Sequence, residues 1–298
     1  MHAVSIENLH KSYKDHEAVR GISLDIVQGE ILGLLGPNGA GKTTTIQCIC
    51  GLSSISSGSI KVMGIDVVSD PVGAKRRIGL SEQEPKADLY FPVDKVLRYQ
   101  AGYHGIRNPD ALIERSLRDF GLSDKRSATF RELSGGMKRK ISIIKALIHD
   151  PDVLILDEPT AGLDIESRYE LWGFIRELKE RGKTIILTTH YIEEAEQLAD
   201  RIAIINEGRL LTVQPTSQMI DELSRNRVIL FFDGPIEKRD VGLDMVIEDS
   251  KVIITCSKAD QNEVLRRALK AYPEARNFQI EQDKLENIFR RLVSDRSA

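Results

Sequence analysis

The chain has 298 residues, with 42 Lys and Arg against 45 Asp and Glu and a net charge of −3. That balance excludes a protein that holds nucleic acid by bulk positive charge. With 29% charged and 41% hydrophobic residues, the composition also excludes a disordered chain. The length predicts two domains. No apolar run approaches the roughly 20 residues of a membrane span; the longest candidate, residues 31–60, is rich in Gly, Ser and Thr and carries Lys42. The opening Met-His-Ala-Val-Ser-Ile-Glu lacks a basic start followed by an apolar core, so no secretory signal is expected. Cys48, Cys50 and Cys256 are too few for a disulfide framework and are expected to be buried, and the six histidines show no ligand spacing.

In chain order, strand signals fall at 3–8, 22–27, 31–35, 59–62 and 77–80. Helical periodicity marks 41–51, 93–104, 109–120 and 135–149. Strand 153–157, helix 165–181, strand 184–189, helix 191–198 and strands 201–206 and 209–213 follow. This alternation predicts an α/β fold with a mainly parallel core sheet. The first strands have no helices between them and predict an antiparallel addition. All of the 22 glycines except Gly234 and Gly242 lie in residues 1–217. A glycine-rich front suits tight turns and loops that hug a ligand. The joint is expected near Gln214-Pro215-Thr216, with Pro215 opening a short helix over 216–224, and the domains are expected at 1–217 and 218–298. In the tail, strands near 227–232, 243–247 and 251–256, helix 259–271, strand 277–281 and helix 283–293 predict a small α+β domain.

Residues 31–44 read Ile-Leu-Gly-Leu-Leu-Gly-Pro-Asn-Gly-Ala-Gly-Lys-Thr-Thr. This is G-x-x-x-x-G-K-T, with Gly36, Gly41, Lys42 and Thr43 at the fixed positions, between an apolar strand and a helix. Glycines let consecutive N–H groups turn inward as an anion nest, and the helix N-terminus adds positive charge. Lys42 suits the β- and γ-phosphates of a nucleoside triphosphate, and the Thr43 hydroxyl suits Mg2+. At 152–158, Asp-Val-Leu-Ile-Leu-Asp-Glu is a buried strand ending in two carboxylates, where ligands of open α/β sheets collect. Asp157 suits Mg2+, through water, and Glu158 suits orienting and deprotonating an attacking water. Adjacent strand residues point to opposite sides, so the two cannot share one job.

Leu133-Ser134-Gly135-Gly136-Met137 opens a further helix with Ser134 as N-cap. Met137, Ile141, Ile144 and Ile148 form a buried stripe, and the basic residues Lys138, Arg139 and Lys140 read as a solvated face. Ser134, Gly135 and Gly136 make a second anion-reading surface, which invites a site shared by two chains.

With these residues in their order, 3–220 resembles the ATP-binding subunit of an ABC transporter. Gly36, Pro37, Asn38, Gly39, Ala40, Gly41, Lys42, Thr43 and Thr44 resemble its Walker A motif, Leu133–Met137 its signature and Val153–Glu158 its Walker B. Ala161-Gly162-Leu163-Asp164 resembles the D-loop, and His190 the switch histidine. Gln83 resembles the Q-loop glutamine, and Tyr13 stands where the family stacks a ring on adenine. Two departures are Met137 for the usual Gln and the acidic neighbours Glu82 and Glu84 of Gln83. The resemblance implies a P-loop NTPase core with an antiparallel β addition and a helical signature subdomain. It implies ATP and Mg2+ as cofactors, with Thr43, Gln83 and Asp157 at the metal and Glu158 and His190 as catalytic residues. It implies a head-to-tail dimer with a second copy or a paralogous ATPase, ATP lying between Walker A of one chain and Ser134, Gly135 and Gly136 of the other. Transmembrane permease subunits are the implied partners, at the cytoplasmic face of the cell membrane, docking on the helical segment between Gln83 and Ser134 with its Tyr90, Phe91, Tyr99 and Tyr103. The tail, 225–298, resembles the extension of drug, antibiotic and sodium exporter ATPases, closing in Leu285-Glu286-Asn287-Ile288-Phe289-Arg290-Arg291-Leu292. The competing class is a soluble ABC ATPase acting on DNA or ribosomes, or a regulatory nucleotide-binding subunit. The former tends to carry a long coiled-coil insertion, zinc cysteines or two cassettes in one chain.

Overall fold

Two long strands open the chain, β1 (His2–Tyr13) and β2 (His16–Val27). They outrun the strands expected at 3–8 and 22–27 because bulges break the period-2 pattern. Their antiparallel register shifts at four places, one spanning Asn8, whose φ is +46°. The computed structural model describes residues 1–14, 16–83, 90–223, 225–239, 244–283 and 285–294. These fall into two compact units, Met1–Val213 and Gln214–Ala298.

In the first unit, β3 (Ile31–Leu35) leads into α1 (Lys42–Ile49), then β4 (Ser57–Val62) and β5 (Ile65–Asp66). A short α2 (Pro71–Arg76) precedes β6 (Ile78–Ser81). Neither β5 nor α2 was expected. They are two and six residues long and are set by local side-chain bonds rather than by periodicity. Asp66 accepts the amides of Val68 and Ser69 at 3.0 and 2.8 Å, and Asp70 caps α2 ahead of Pro71. Next come α3 (Val93–Tyr103), α4 (Asp110–Asp119), α5 (Gly135–Leu147), β7 (Val153–Asp157) and α6 (Ile165–Glu180). The unit closes with β8 (Thr184–Thr189), α7 (Ile192–Leu198), β9 (Arg201–Asn206) and β10 (Arg209–Pro215).

Two sheets result, with orders β2-β1-β4-β5 and β10-β9-β3-β8-β7-β6. The first is antiparallel; in the second, β9, β3, β8, β7 and β6 run parallel. Strands covered on both faces need apolar side chains throughout. Ile31, Leu32, Val153, Leu154, Ile155, Leu156, Ile185 and Leu187 are fully buried, as required. The parallel order brings the C-terminal ends of β3, β7 and β8 together, the edge where such sheets bind ligands.

Helices α3 and α4 are joined by an ion network: Asp94 takes Arg98 at 2.6 Å and Arg126 at 2.8 Å, and Asp110 takes both arginines. Against α5, the His104 and His149 rings stack 3.7 Å apart, and Ser81 and Ser142 hydroxyls meet at 3.0 Å between β6 and α5.

In the second unit, α8 (Thr216–Leu223), β11 (Arg225–Phe231), β12 (Met245–Glu248), β13 (Lys251–Ser257), α9 (Gln261–Ala271), β14 (Asn277–Glu281) and α10 (Leu285–Ser294) follow in order. The antiparallel sheet has order β12-β13-β11-β14. Its core holds Val228, Leu230, Phe232, Val252, Ile254, Val264, Ala268 and Tyr272. The unit begins at Gln214, four residues ahead of the expected boundary at 217/218, because α8 joins it by packing on α10. Leu285 and Ile288 of the closing helix are buried and Phe289 and Leu292 half-buried.

Candidate nucleotide site

The loop between β3 and α1 is shaped by its glycines. A Cβ on Gly36 would stand 2.3 Å from the Ile205 carbonyl oxygen, and one on Gly41 2.6 Å from that of Ala18. Gly41 also holds φ at +103°, where only glycine is unstrained, and caps α1. The loop is pinned by Ala40 N–H to Pro37 O (3.1 Å) and Gly208 N–H to Ala40 O (2.9 Å). Asn38, Gly39 and Thr43 face solvent, and Lys42 is buried. The Lys42 amine donates to the carbonyl oxygens of Gly36 and Pro37 at 2.7 and 3.1 Å. Burial pulls its pKa below the ordinary lysine value, and the Glu158 and Asp157 carboxylates oppose that pull.

Asp157 ends β7 and is 8% exposed, its carboxylate taking the Thr188 hydroxyl of β8. Glu158 follows in the left-handed region at φ +47°. Its amide donates to Thr188 O at 3.0 Å and Thr188 Oγ1 at 3.1 Å. Its side chain goes a different way from that of Asp157, as strand alternation requires. One oxygen accepts the Gln83 amide at 2.8 Å, and the other faces His190 Nδ1 at 3.1 Å. Three residues from three separate loops therefore meet at one carboxylate. They line a cavity of about 730 Å³ with Tyr13, His16, Ala18 and residues 38–44.

Tyr13 is 44% exposed at the rim of this cavity. Its hydroxyl bonds Ser53 Oγ at 3.0 Å and the Lys11 ammonium lies 4.6 Å from its ring centroid. One ring face is occupied by that cation.

A second cavity of about 240 Å³ is lined by Thr43, Gln83 and Asp157 with Ile46, Gln47, Leu52, Leu80 and Glu82. A hydroxyl, an amide and a carboxylate are hard oxygen donors, the set that suits Mg2+ when phosphates and water complete the shell. With its Nε2 donating to Glu158, Gln83 keeps its amide oxygen as a ligand atom. Among the described residues no cluster of three or more His, Cys, Asp or Glu could hold a metal alone.

Ser134 caps α5, accepting Met137 N–H at 3.2 Å. A Cβ on Gly135 would meet nothing within 4 Å, so this helix start is open. Asp164 caps α6 in the same way through Ser167 N–H at 2.9 Å.

Two expectations on α5 need correction. Met137 is half-buried beside a cavity of about 150 Å³, while Ile141, Ile144 and Ile148 are fully buried. More important, Arg139 is not on a solvated face. It is 3% exposed and donates to four main-chain carbonyl oxygens. No sequence pattern marks it, because every acceptor is backbone. Lys140, in contrast, pairs with Glu170 at 2.8 Å. Glu194 also escaped the sequence reading. It is buried one turn after His190, accepts the Trp172 indole N–H at 3.1 Å, and burial raises its pKa. Cys48 and Cys50 are buried, and Cys256 is half-buried. Glu84 lies outside the described residues.

A glycine-built loop before a helix, a buried lysine and paired carboxylates at the end of one parallel strand are features of a nucleotide-binding ATPase of the P-loop class. The ABC transporter family profile matches residues 19–161. The Nod factor export ATP-binding protein I of Burkholderia pseudomallei (strain 1710b) is 40% identical over 240 residues, covering 80% of this chain and 79% of that protein. The protein of the same name in Paraburkholderia xenovorans (strain LB400) is 37% identical over 296 residues, covering 98% and 97%. The solved structure of cbiO1 from Clostridium perfringens, part of the ABC transporter complex cbiONQ, superposes with a TM-score of 0.67. It is 29% identical and covers 74% of this chain and 91% of that one. The chain belongs to the ATP-binding subunits of ABC transporters and is an ATPase. Among the described residues no helix is long and apolar enough to cross a membrane.

Proposed function

We propose that this chain is the motor of an exporter. Two copies, or one copy and a paralogous ATPase, close head to tail on ATP and reopen on hydrolysis, moving transmembrane permease subunits at the cytoplasmic face of the membrane. The observation that carries the catalytic part is the meeting of Gln83 and His190 on Glu158 at the mouth of the phosphate nest.

In this reading Tyr13 stacks on adenine, and the N–H groups of residues 36–44 cradle the phosphates. Lys42 leaves the carbonyls of Gly36 and Pro37 for the β- and γ-phosphate oxygens. Thr43, Gln83 and Asp157 would hold Mg2+, which when bound neutralises charge on the phosphate oxygens. Glu158 orients the attacking water and accepts its proton. His190, 44% exposed at its side chain, reaches from the opposite side toward the γ-phosphate. Ser134, Gly135 and Gly136 of the second chain close over the nucleotide. Their open helix start supports this: the cavity that Ser134 and Gly136 line within one chain is about 150 Å³, against about 730 Å³ at the first loop.

The aromatic residues Tyr90, Phe91, Tyr99 and Tyr103 are 38% to 86% exposed on the helical segment and support a docking surface for the permease. Export, rather than import, is favoured by the relatives named for Nod factor export, one matching this chain over nearly its whole length. The test is purification of the chain from membranes with ATPase measurement. A co-purifying permease and ATP turnover that Glu158→Gln abolishes are expected. A chain found only on DNA or ribosomes would defeat the exporter reading.

A further inference from the structure

A buried arginine normally meets a carboxylate, because an uncompensated charge in a protein interior is costly. The Asp157, Glu194 and Glu158 carboxylates lie near enough to Arg139 to favour its charge, yet every hydrogen bond it makes goes to backbone. Its Nε donates to Pro159 O at 2.7 Å, one terminal nitrogen donates to Glu82 O and Gln83 O at 2.5 and 3.0 Å, and the other donates to Asp157 O at 2.5 Å. The planar five-donor fork is thus spread over two segments that converge from different parts of the sheet. One is the loop after β6 that carries Gln83. The other is the turn after β7 that carries Asp157 and Glu158. The side chains of these two segments meet on the outside, Gln83 on Glu158 at 2.8 Å. Their backbones meet on the inside, on one guanidinium. The arginine belongs to a third element, α5, one turn from Gly135. Farther along, Ser142 of α5 bonds Ser81, and His149, two residues past the helix, bonds Ile78 O at 2.9 Å. Near the α5 start, Arg139 thus gives a direct polar route to both segments.

We infer that Arg139 is the positioning residue that sets Gln83 against Glu158 and carries engagement of the Ser134–Gly136 helix start to the catalytic carboxylate. It touches neither nucleotide nor water. A cation rather than an apolar side chain serves here because only a guanidinium supplies four donors from one rigid plane. Burial pulls Arg139 down to about 10, and the Asp157, Glu194 and Glu158 carboxylates oppose that pull. The inference rests on the roles proposed for Gln83 and Glu158.

The test uses the full chain carrying Arg139→Gln or Arg139→Lys, with circular dichroism, binding of a fluorescent ATP analogue, kcat, KM and hydrogen exchange. Both variants are expected to fold and to bind the analogue within about twofold of the original. The kcat of Arg139→Gln is expected to fall at least about tenfold with KM little changed, and Arg139→Lys to fall less. Exchange is expected to rise in residues 78–83 and 157–163 but not in β3 or β8. Folded variants with unchanged kcat and unchanged exchange in those segments would overturn the inference. So would loss of folding in both, which would assign Arg139 to stability alone. Absence of turnover in the original chain, or normal turnover by Glu158→Gln, would instead defeat the reading of the site itself.

Discussion

Helices α1 and α5 both begin at small residues, yet the two starts are finished differently. At α1, Gly41 takes a left-handed conformation, Lys42 is buried, and Asp157, Glu158 and a cavity of about 730 Å³ stand within the same chain. At α5, Ser134 is a plain N-cap, Gly135 faces open space, and Arg139, the middle one of the cations Lys138, Arg139 and Lys140 in the first turns, points inward to backbone. In the proposed reading the first start holds phosphates by itself, and the second reports on a nucleotide brought to it by another chain. The difference teaches that a helix N-terminus is only half a site; the charges arranged around it decide whether it binds or senses.

Substitutions can break this contrast. The largest effect is expected from Glu158→Gln, which keeps both contacts in shape but removes the base: turnover should fall at least about 100-fold in a steady-state ATPase assay, with ATP still bound. Gly135→Asp should cost a similar loss by placing a like charge where phosphates arrive. It should leave ATP affinity of the single chain within about twofold by equilibrium titration, since a Cβ there meets nothing within 4 Å. Lys42→Ala should act on binding itself, weakening ATP affinity about tenfold or more in the same titration. Tyr13→Ala should raise KM by a few fold, the worth of about one stacking contact, and leave kcat alone.

The smallest effect concerns stability rather than the contrast, and it marks where α5 leaves the site. Burial and the stacked His104 ring push His149 down to about 4. The unfolded chain therefore takes up a proton near pH 6.5 that the folded chain refuses until about pH 4. Stability is full above 6.5 and declines as pH falls between the two values. The melting temperature should drop across that window, and His149→Phe should flatten the decline.

Most of the proposed site was legible because the chemistry proposed for it sits in side chains at fixed spacings. The strand–loop–helix around Lys42 and the carboxylates after β7 could be read from types and order alone. Gln83, His190 and Tyr13 were legible through resemblance, and their meeting at one cavity required the structure. Arg139 carried no signal. A charged residue between two lysines looks solvated, and backbone carbonyls leave no trace in a sequence. Bulges hid the true lengths of β1 and β2 for a related reason, since they break the alternation by which a strand is recognised.

The central claim is that α1 binds the nucleotide within one chain and α5 meets it from another. The direct measurement is light scattering of the Glu158→Gln chain with and without ATP, alone and combined with Gly135→Asp. The account predicts an ATP-dependent dimer for Glu158→Gln and a monomer with bound ATP for the double variant. An ATP-dependent dimer that survives Gly135→Asp unchanged would contradict it.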